Sequence, residues 1–324
     1  MQRNPAKFLA LTLTATFSLC LSTAKGQTPP VKVFLLAGQS NMEGQGVVDF
    51  DHEQYYNGGR GNLEHVMRNS NFAERYKHLK DENGDWVIRD DVWVWYQTNK
   101  AGLKKGGLGI GYTCYPGKHH IGPELQIGHR IGDKYEQQVL LIKTAWGGKS
   151  LHKDFRPPSA GGEVGPYYKQ MLAEIDQCLS NLKEEFPEYQ DQGFEIAGFI
   201  WFQGWNDMFD ENGRRDYEQN LVHLIKDVRK ALKKPNLPVV IGELGNGGED
   251  AGANMKSIRA AQAAAAARDE FKGTVAFVKT TDFARPREES PNTGHGHHWF
   301  GNAESYFLIG DALGKAMVEL VGDK

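Results

Sequence analysis

The sequence predicts an α/β fold: a doubly wound parallel sheet of about five strands, with helices on both faces and a long aromatic loop inserted after strand one. Two observations carry this. Five short runs rich in β-branched and aliphatic residues (31–37, 138–145, 194–202, 237–244 and 274–280) read as strands buried on both sides. Segments of helical period (123–135, 167–186, 217–232, 254–268 and 304–321) alternate with them, as strand–helix–strand crossovers require.

The elements follow in chain order. Residues 1–26 carry Arg3 and Lys7 ahead of an apolar stretch over 8–22 and a polar end, the pattern of a secretory signal peptide. The stretch is too short for a comfortable membrane span. The protein is therefore expected to be secreted or periplasmic, with 27–324 as one domain and no membrane insertion after signal removal. Cys20 raises lipid anchoring, which the bulky Leu19 before it disfavours. Removing 1–26 takes away Arg3, Lys7 and Lys25 and no acid, leaving 35 of the 38 basic residues against 41 acidic ones, a formal charge of −6. That balance disfavours nucleic acid and anionic membranes as partners. The remaining cysteines, Cys114 and Cys178, could pair in an oxidising compartment or stay as buried thiols.

Strand one breaks at Gly38 and delivers Gln39, Ser40 and Asn41 onto a tight turn. The loop insertion, 47–122, holds Tyr55, Tyr56, Trp86, Trp93, Trp95, Tyr96, Tyr112 and Tyr115. Alternation over 86–95 after Asn83-Gly84 suggests a hairpin. The aromatics suit either stacking on sugar rings or a satellite core. A proline opens the helix at 123. In the helix over 217–232, Leu221, Leu224, Ile225 and Val228 recur at helical spacing and are core contacts. The unusual segments all follow strands: Ser40, Gly147-Gly148, Gln203 to Asp207, Glu243, Asp282 and the loop with His295, His297 and His298. In an open parallel sheet, ligands bind outside the carboxyl ends of the strands.

Those residue types are what acyl transfer through a serine needs: a nucleophile, a base, donors for the oxyanion and usually an acid orienting the base. Ser40 is the candidate nucleophile, with its own N–H as a first oxyanion donor, and His298 the candidate base. Gly147 or Gly148 offers a second N–H, and the amide of Gln203 or Asn206 a third. Gln39 joins them on the substrate side. His295, His297 and His298, at i, i+2 and i+3, do not match a zinc spacing, so neither metal nor cofactor is expected.

GQSNM, the Gly147-Gly148 pair, QGWND and the block HWFGNAESYFLIGDALG together resemble the sialate O-acetylesterases and carbohydrate esterase family 6, within the SGNH-type hydrolases. The resemblance spans essentially all of residues 27–324. It implies a flavodoxin-like sheet and metal-free removal of O-acetyl groups from carbohydrates. It matches Ser40 to the nucleophile, His298 to the base, Gly147 or Gly148 to the oxyanion glycine and Gln203 to the amide, with Asn206 competing for that role. One position departs: the aspartate common three residues before the base is His295 here. Asp282 is the first expectation for the acid, with Glu289 and Glu243 behind it, or a backbone carbonyl in its place; His297 is the alternative base.

Overall fold

Seven strands form the central sheet, two more than the five buried runs: β1 (Val31–Gly38), β2 (Arg89–Thr98), β3 (Gly102–Leu108), β4 (Val139–Ala145), β5 (Phe194–Phe202), β6 (Val239–Gly242) and β7 (Val275–Val278). They lie in the order β3-β2-β4-β1-β5-β6-β7, and every neighbouring pair is parallel except β2 with β3. The computed structural model describes residues 28–69 and 71–322. The expected signal peptide and Cys20 lie outside the described residues.

The two extra strands come from the loop insertion. The hairpin turns at Asn99 to Ala101, where Thr98 Oγ1 accepts the Ala101 N–H, and not after Asn83-Gly84. The Asn83-Gly84 turn is real but closes only a single bridge between Lys80 and Trp86. Val92 to Tyr96 are all buried, so Trp93, Trp95 and Tyr96 belong to the main core and not to a sugar-binding surface. A short antiparallel ribbon, Gly46–Val47 with His120–Ile121, ties the ends of the insertion together.

Alternation along β1 explains how both faces close. Val31, Val33, Leu35 and Ala37 point into one core, beneath Met171 and Ile175 of α3 (Pro166–Ser180), Leu224 and Ile225 of α4 (Glu211–Ala231) and Ile258 of α5 (Ala253–Ala266). Phe34 and Leu36 point into the other, beneath Leu125 and Ile131 of α2 (Glu124–Gly132) and Ile309 and Leu313 of α6 (Ala303–Val321). Two helix boundaries differ from the periodicity. The expected 167–186 helix breaks at Asn181. Helix α4 starts six residues early because Asp210 caps it, its carboxylate accepting the N–H of Asn212 and Gly213. Both cysteines are free and buried. Among the described residues no helix is long and apolar enough to cross a membrane.

Candidate active site

Register assembles the site. Gly38 pairs with Ala145 on one side and with Phe202 on the other, so three adjacent strands end at one level and release their loops together. Gly38 must be glycine: a Cβ there would meet the Phe202 carbonyl oxygen at 2.1 Å. Beyond it the chain makes one helical turn, α1 (Ser40–Glu43), with Ser40 buried at its start. Trp146 donates its N–H to the Gly38 carbonyl (3.2 Å), which brings Gly147 alongside. A Cβ on Gly147 would lie 3.7 Å from Ser40 Cβ, so the glycine leaves room over the serine.

Gln39 is the clamp between the Ser40 turn and the loop after β5. Its Oε1 accepts from the N–H groups of Gly204 and Asn206 and from Gln203 Nε2, and its Nε2 donates to Asn206 Oδ1. The two candidate amides then separate by environment. Gln203 is buried and fully used: Nε2 donates to Gln39, the Lys149 carbonyl and Asp207, while Oε1 accepts from Tyr217. Asn206 stands at the surface, with Nδ2 on the Gly148 carbonyl at 2.8 Å. Asp207 is wholly buried, and burial pushes its carboxyl up to about 6 against the Gln203 amide and the N–H groups of Leu151 and His152.

The histidine loop is fastened to the Ser40 turn by side chains that sequence reasoning missed. Asn41 Nδ2 and Asn246 Nδ2 both donate to the His297 carbonyl, at 3.2 and 3.0 Å. The buried Tyr306 hydroxyl donates to Asn41 Oδ1 (2.7 Å) and reaches the His298 carbonyl at 3.4 Å. Asn41 and Tyr306 both fall inside quoted motifs, so their presence was visible and only their pairing was not. Immediately after His298, Trp299 (φ 52°) and Phe300 (φ 53°) are both left-handed. Two bulky residues in that region cost about 1–2 kcal/mol each. The Phe300 carbonyl accepts from Asn292, Phe300 N–H donates to His295, and Trp299 is buried in the core, which together hold the reversal.

The His298 imidazole is half-buried, its ring centroid 4.0 Å from that of His297. Burial, then His297, His295 and Lys100, lower its pKa to about 3, so the ring is neutral at neutral pH. Neither Ser40 Oγ nor a His298 ring nitrogen makes a hydrogen bond among the described residues. The expected acid is not brought to His298. Asp282 lies exposed in the turn Thr281–Phe283, where its carbonyl accepts from Arg285 and its carboxylate bonds nothing among the described residues. Glu243 Oε2 is consumed by the N–H groups of Thr280 and Thr281 and the Thr281 hydroxyl. Glu289 is exposed and offers Asn302 only its carbonyl. The carboxylate nearest Ser40 in sequence is Glu43. It is buried, its pKa raised by burial and opposed by the Gly147 N–H and by Lys143.

A cavity of about 830 Å³ lies elsewhere, lined by Pro29, Trp93, Gln138 and Phe186 near the amino ends of β1 and β4, and holds none of these groups. The catalytic-type groups sit on a shelf at the carboxyl ends of the strands, with Ser40 buried and His298 half-buried.

A family model described as carbohydrate esterase, sialic acid-specific acetylesterase matches residues 30–319. A probable carbohydrate esterase of Arabidopsis thaliana is 24% identical over 228 residues, 68% of this chain and 71% of that protein. A solved Arabidopsis thaliana protein superposes with a TM-score of 0.57 at 18% identity, over 89% of this chain and 98% of that one. A carbohydrate acetylesterase from Xanthomonas citri superposes with a TM-score of 0.51 at 16% identity, over 88% of this chain and 57% of that one. These two likenesses establish the shared fold, a helix-flanked and mainly parallel sheet. The chain belongs to the carbohydrate esterase family of sialic acid-specific acetylesterases.

Proposed function

We propose that this protein is a secreted or periplasmic serine esterase that removes O-acetyl groups from carbohydrates, working as a Ser40–His298 dyad. The observation that carries the reading is the shared level of three loops: Ser40 after β1, Gly147 after β4 and Asn206 after β5, with the His298 loop bonded to Asn41 beside the serine. His298 takes the Ser40 proton as Oγ attacks the acetyl carbonyl. The N–H groups of Ser40 and Gly147 and the Asn206 amide hold the oxyanion. Asn206 is preferred to Gln203 because its Nδ2 has one acceptor, the Gly148 carbonyl, for two N–H groups, whereas the buried Gln203 Nε2 already has three acceptors. Collapse expels the sugar oxygen, which receives the proton from His298, and water then releases acetate by the same path. Among the described residues no carboxylate hydrogen-bonds the His298 ring, so its orientation rests on the Asn41, Asn246 and Tyr306 bonds to the loop backbone.

The test is acetate release by residues 27–324 from acetylated xylan and from an O-acetylated sialic acid, with acid-quenched protein examined for acetyl on Ser40. Acetyl on Ser40 supports the reading, and the ratio of the two rates names the glycan class. Silence toward both glycans and toward an aryl acetate would leave a carbohydrate-binding scaffold.

The lowered His298 pKa sets a pH dependence. A base must be neutral to accept the proton, so activity persists down to the pKa of the folded ring, well below the ordinary histidine value of about 6.5. The acid limb of kcat/KM for an aryl acetate is expected toward pH 3. A limb near pH 6 that vanishes in Asp207→Asn would belong to Asp207. A limb near 6.5 that survives it would move the base to a more solvated histidine.

A further inference from the structure

Beside the shelf a ladder of rings runs outward from the base. His298 and His297 are 4.0 Å apart between centroids, His297 and Trp205 5.8 Å, and Trp205 and Phe209 5.8 Å. It ends in open solvent: Phe209 is 68% exposed, and Trp205 is half-buried. The Trp205 indole N–H donates to no acceptor among the described residues. Trp205 also packs against the main core, whereas Phe209 packs on neither core, and an exposed ring continuous with a site is a mark of recognition.

The ledge is rigid. Phe209 sits in the turn Asp207–Phe209, whose start is fixed by the buried Asp207 carboxylate on the N–H groups of Leu151 and His152. Arg214 Nη1 donates to the Met208 carbonyl at 2.6 Å, and the Asp210 carboxylate caps α4. Asn206, one residue from Trp205, bonds the Gly148 carbonyl on the oxyanion side. The rings and the oxyanion amide therefore belong to one short segment, and whatever packs on the rings is held at a fixed offset from the acyl group.

We infer that Trp205 and Phe209 form a subsite for the neighbouring pyranose of an oligosaccharide chain, so that the substrate is a polymer or oligomer and not a free acetylated monosaccharide. The inference rests on the esterase reading for the position of the acetylated unit. A pyranose presents an apolar C–H face to an aromatic ring and hydroxyls at its edge. The face matches Phe209, whose ring stands at 67° to that of Trp205, and the free indole N–H matches an edge hydroxyl. An aromatic platform with a few polar groups is the usual make-up of a small-molecule site.

The experiment compares kcat/KM for acetylated xylo-oligosaccharides of increasing length with that for acetylated xylose, in wild type and Phe209→Ala, with an aryl acetate alongside. The wild type is expected to favour the oligomers by about tenfold, the equivalent of one well-buried ring contact, and Phe209→Ala to lose that preference through KM with kcat kept. Titration calorimetry of Ser40→Ala with unacetylated xylohexaose should give binding that Phe209→Ala weakens by a similar factor. Absence of length preference in an enzyme that still turns over aryl acetate would overturn the subsite and leave the esterase standing. Absence of any turnover would end the esterase reading, and the calorimetry alone would then decide the ledge. Loss in Phe209→Ala of aryl octanoate turnover, with the sugar preference intact, would make the ledge an acyl-chain surface and overturn the inference.

Discussion

Ser40→Ala is expected to lower acetate release by at least about a thousandfold, His298→Ala by a comparable factor, and the double variant no further, because nucleophile and base act as one unit. Both variants should fold. Ser40 Oγ and the His298 ring make no hydrogen bond among the described residues, so neither substitution orphans a buried partner. His297→Ala is the control that separates the two histidines. The frame binds the His297 carbonyl, which alanine retains, so its activity should stay within a few-fold of wild type. Asp282→Asn should also leave turnover unchanged, since its carboxylate bonds nothing among the described residues. Steady-state rates on an aryl acetate, with circular dichroism to verify folding, check all five variants. Full loss in Asp282→Asn would show that the loop moves to form a triad during turnover.

The largest expected effect on stability is at Lys143. Both Lys143 and Glu124 are completely buried, with Nζ 2.8 Å from Glu124 Oε2, and Nζ also donates to the carbonyls of Glu43 and Tyr112. Burial pulls the ammonium below the ordinary lysine value, and Glu124 opposes that shift. Lys143→Met keeps the volume but leaves a buried carboxylate without its cation, which costs about 3–5 kcal/mol. Lys143→Met with Glu124→Leu should recover only part of this, because the Glu43 and Tyr112 carbonyls stay unpaired. Denaturant unfolding midpoints check both, and a single variant within about 1 kcal/mol of wild type would show that water or backbone movement repairs the site. Since Glu43 closes the turn that begins at Ser40, the same variant should lose activity beyond its loss of folded protein.

Legibility from sequence followed locality. The five buried runs are strands because every position along them meets a core, and that leaves a pattern. Ser40, Gly147, Gln203 and Asn206 were readable for the same reason: each sits one to five positions past such a run, and register did the rest; His298, far beyond the last run, was readable only from its motif. Strand β2 was misjudged because the alternation over 86–95 suggested a separate hairpin, whereas Val92 to Tyr96 are buried on both faces as a strand of the main sheet. The acid could not be found because a carboxylate's reach is a tertiary property. Asp282 and Glu243 both follow strands, yet one faces solvent and the other caps a turn. Nor does Lys143 look different in sequence from a lysine at an exposed strand end; only the closeness of Glu124 and two carbonyls reveals it.

The Tyr306–Asn41 bond joins residues 265 positions apart, and it couples the first strand's turn to helix α6. Contacts of such span form late in folding, since the intervening chain must be ordered before its ends meet. The frame for the histidine loop therefore exists only after the last helix has docked. On the proposed reading, a chain emerging amino end first would hold Ser40 before its base has a frame, and esterase activity would arrive with the last helix.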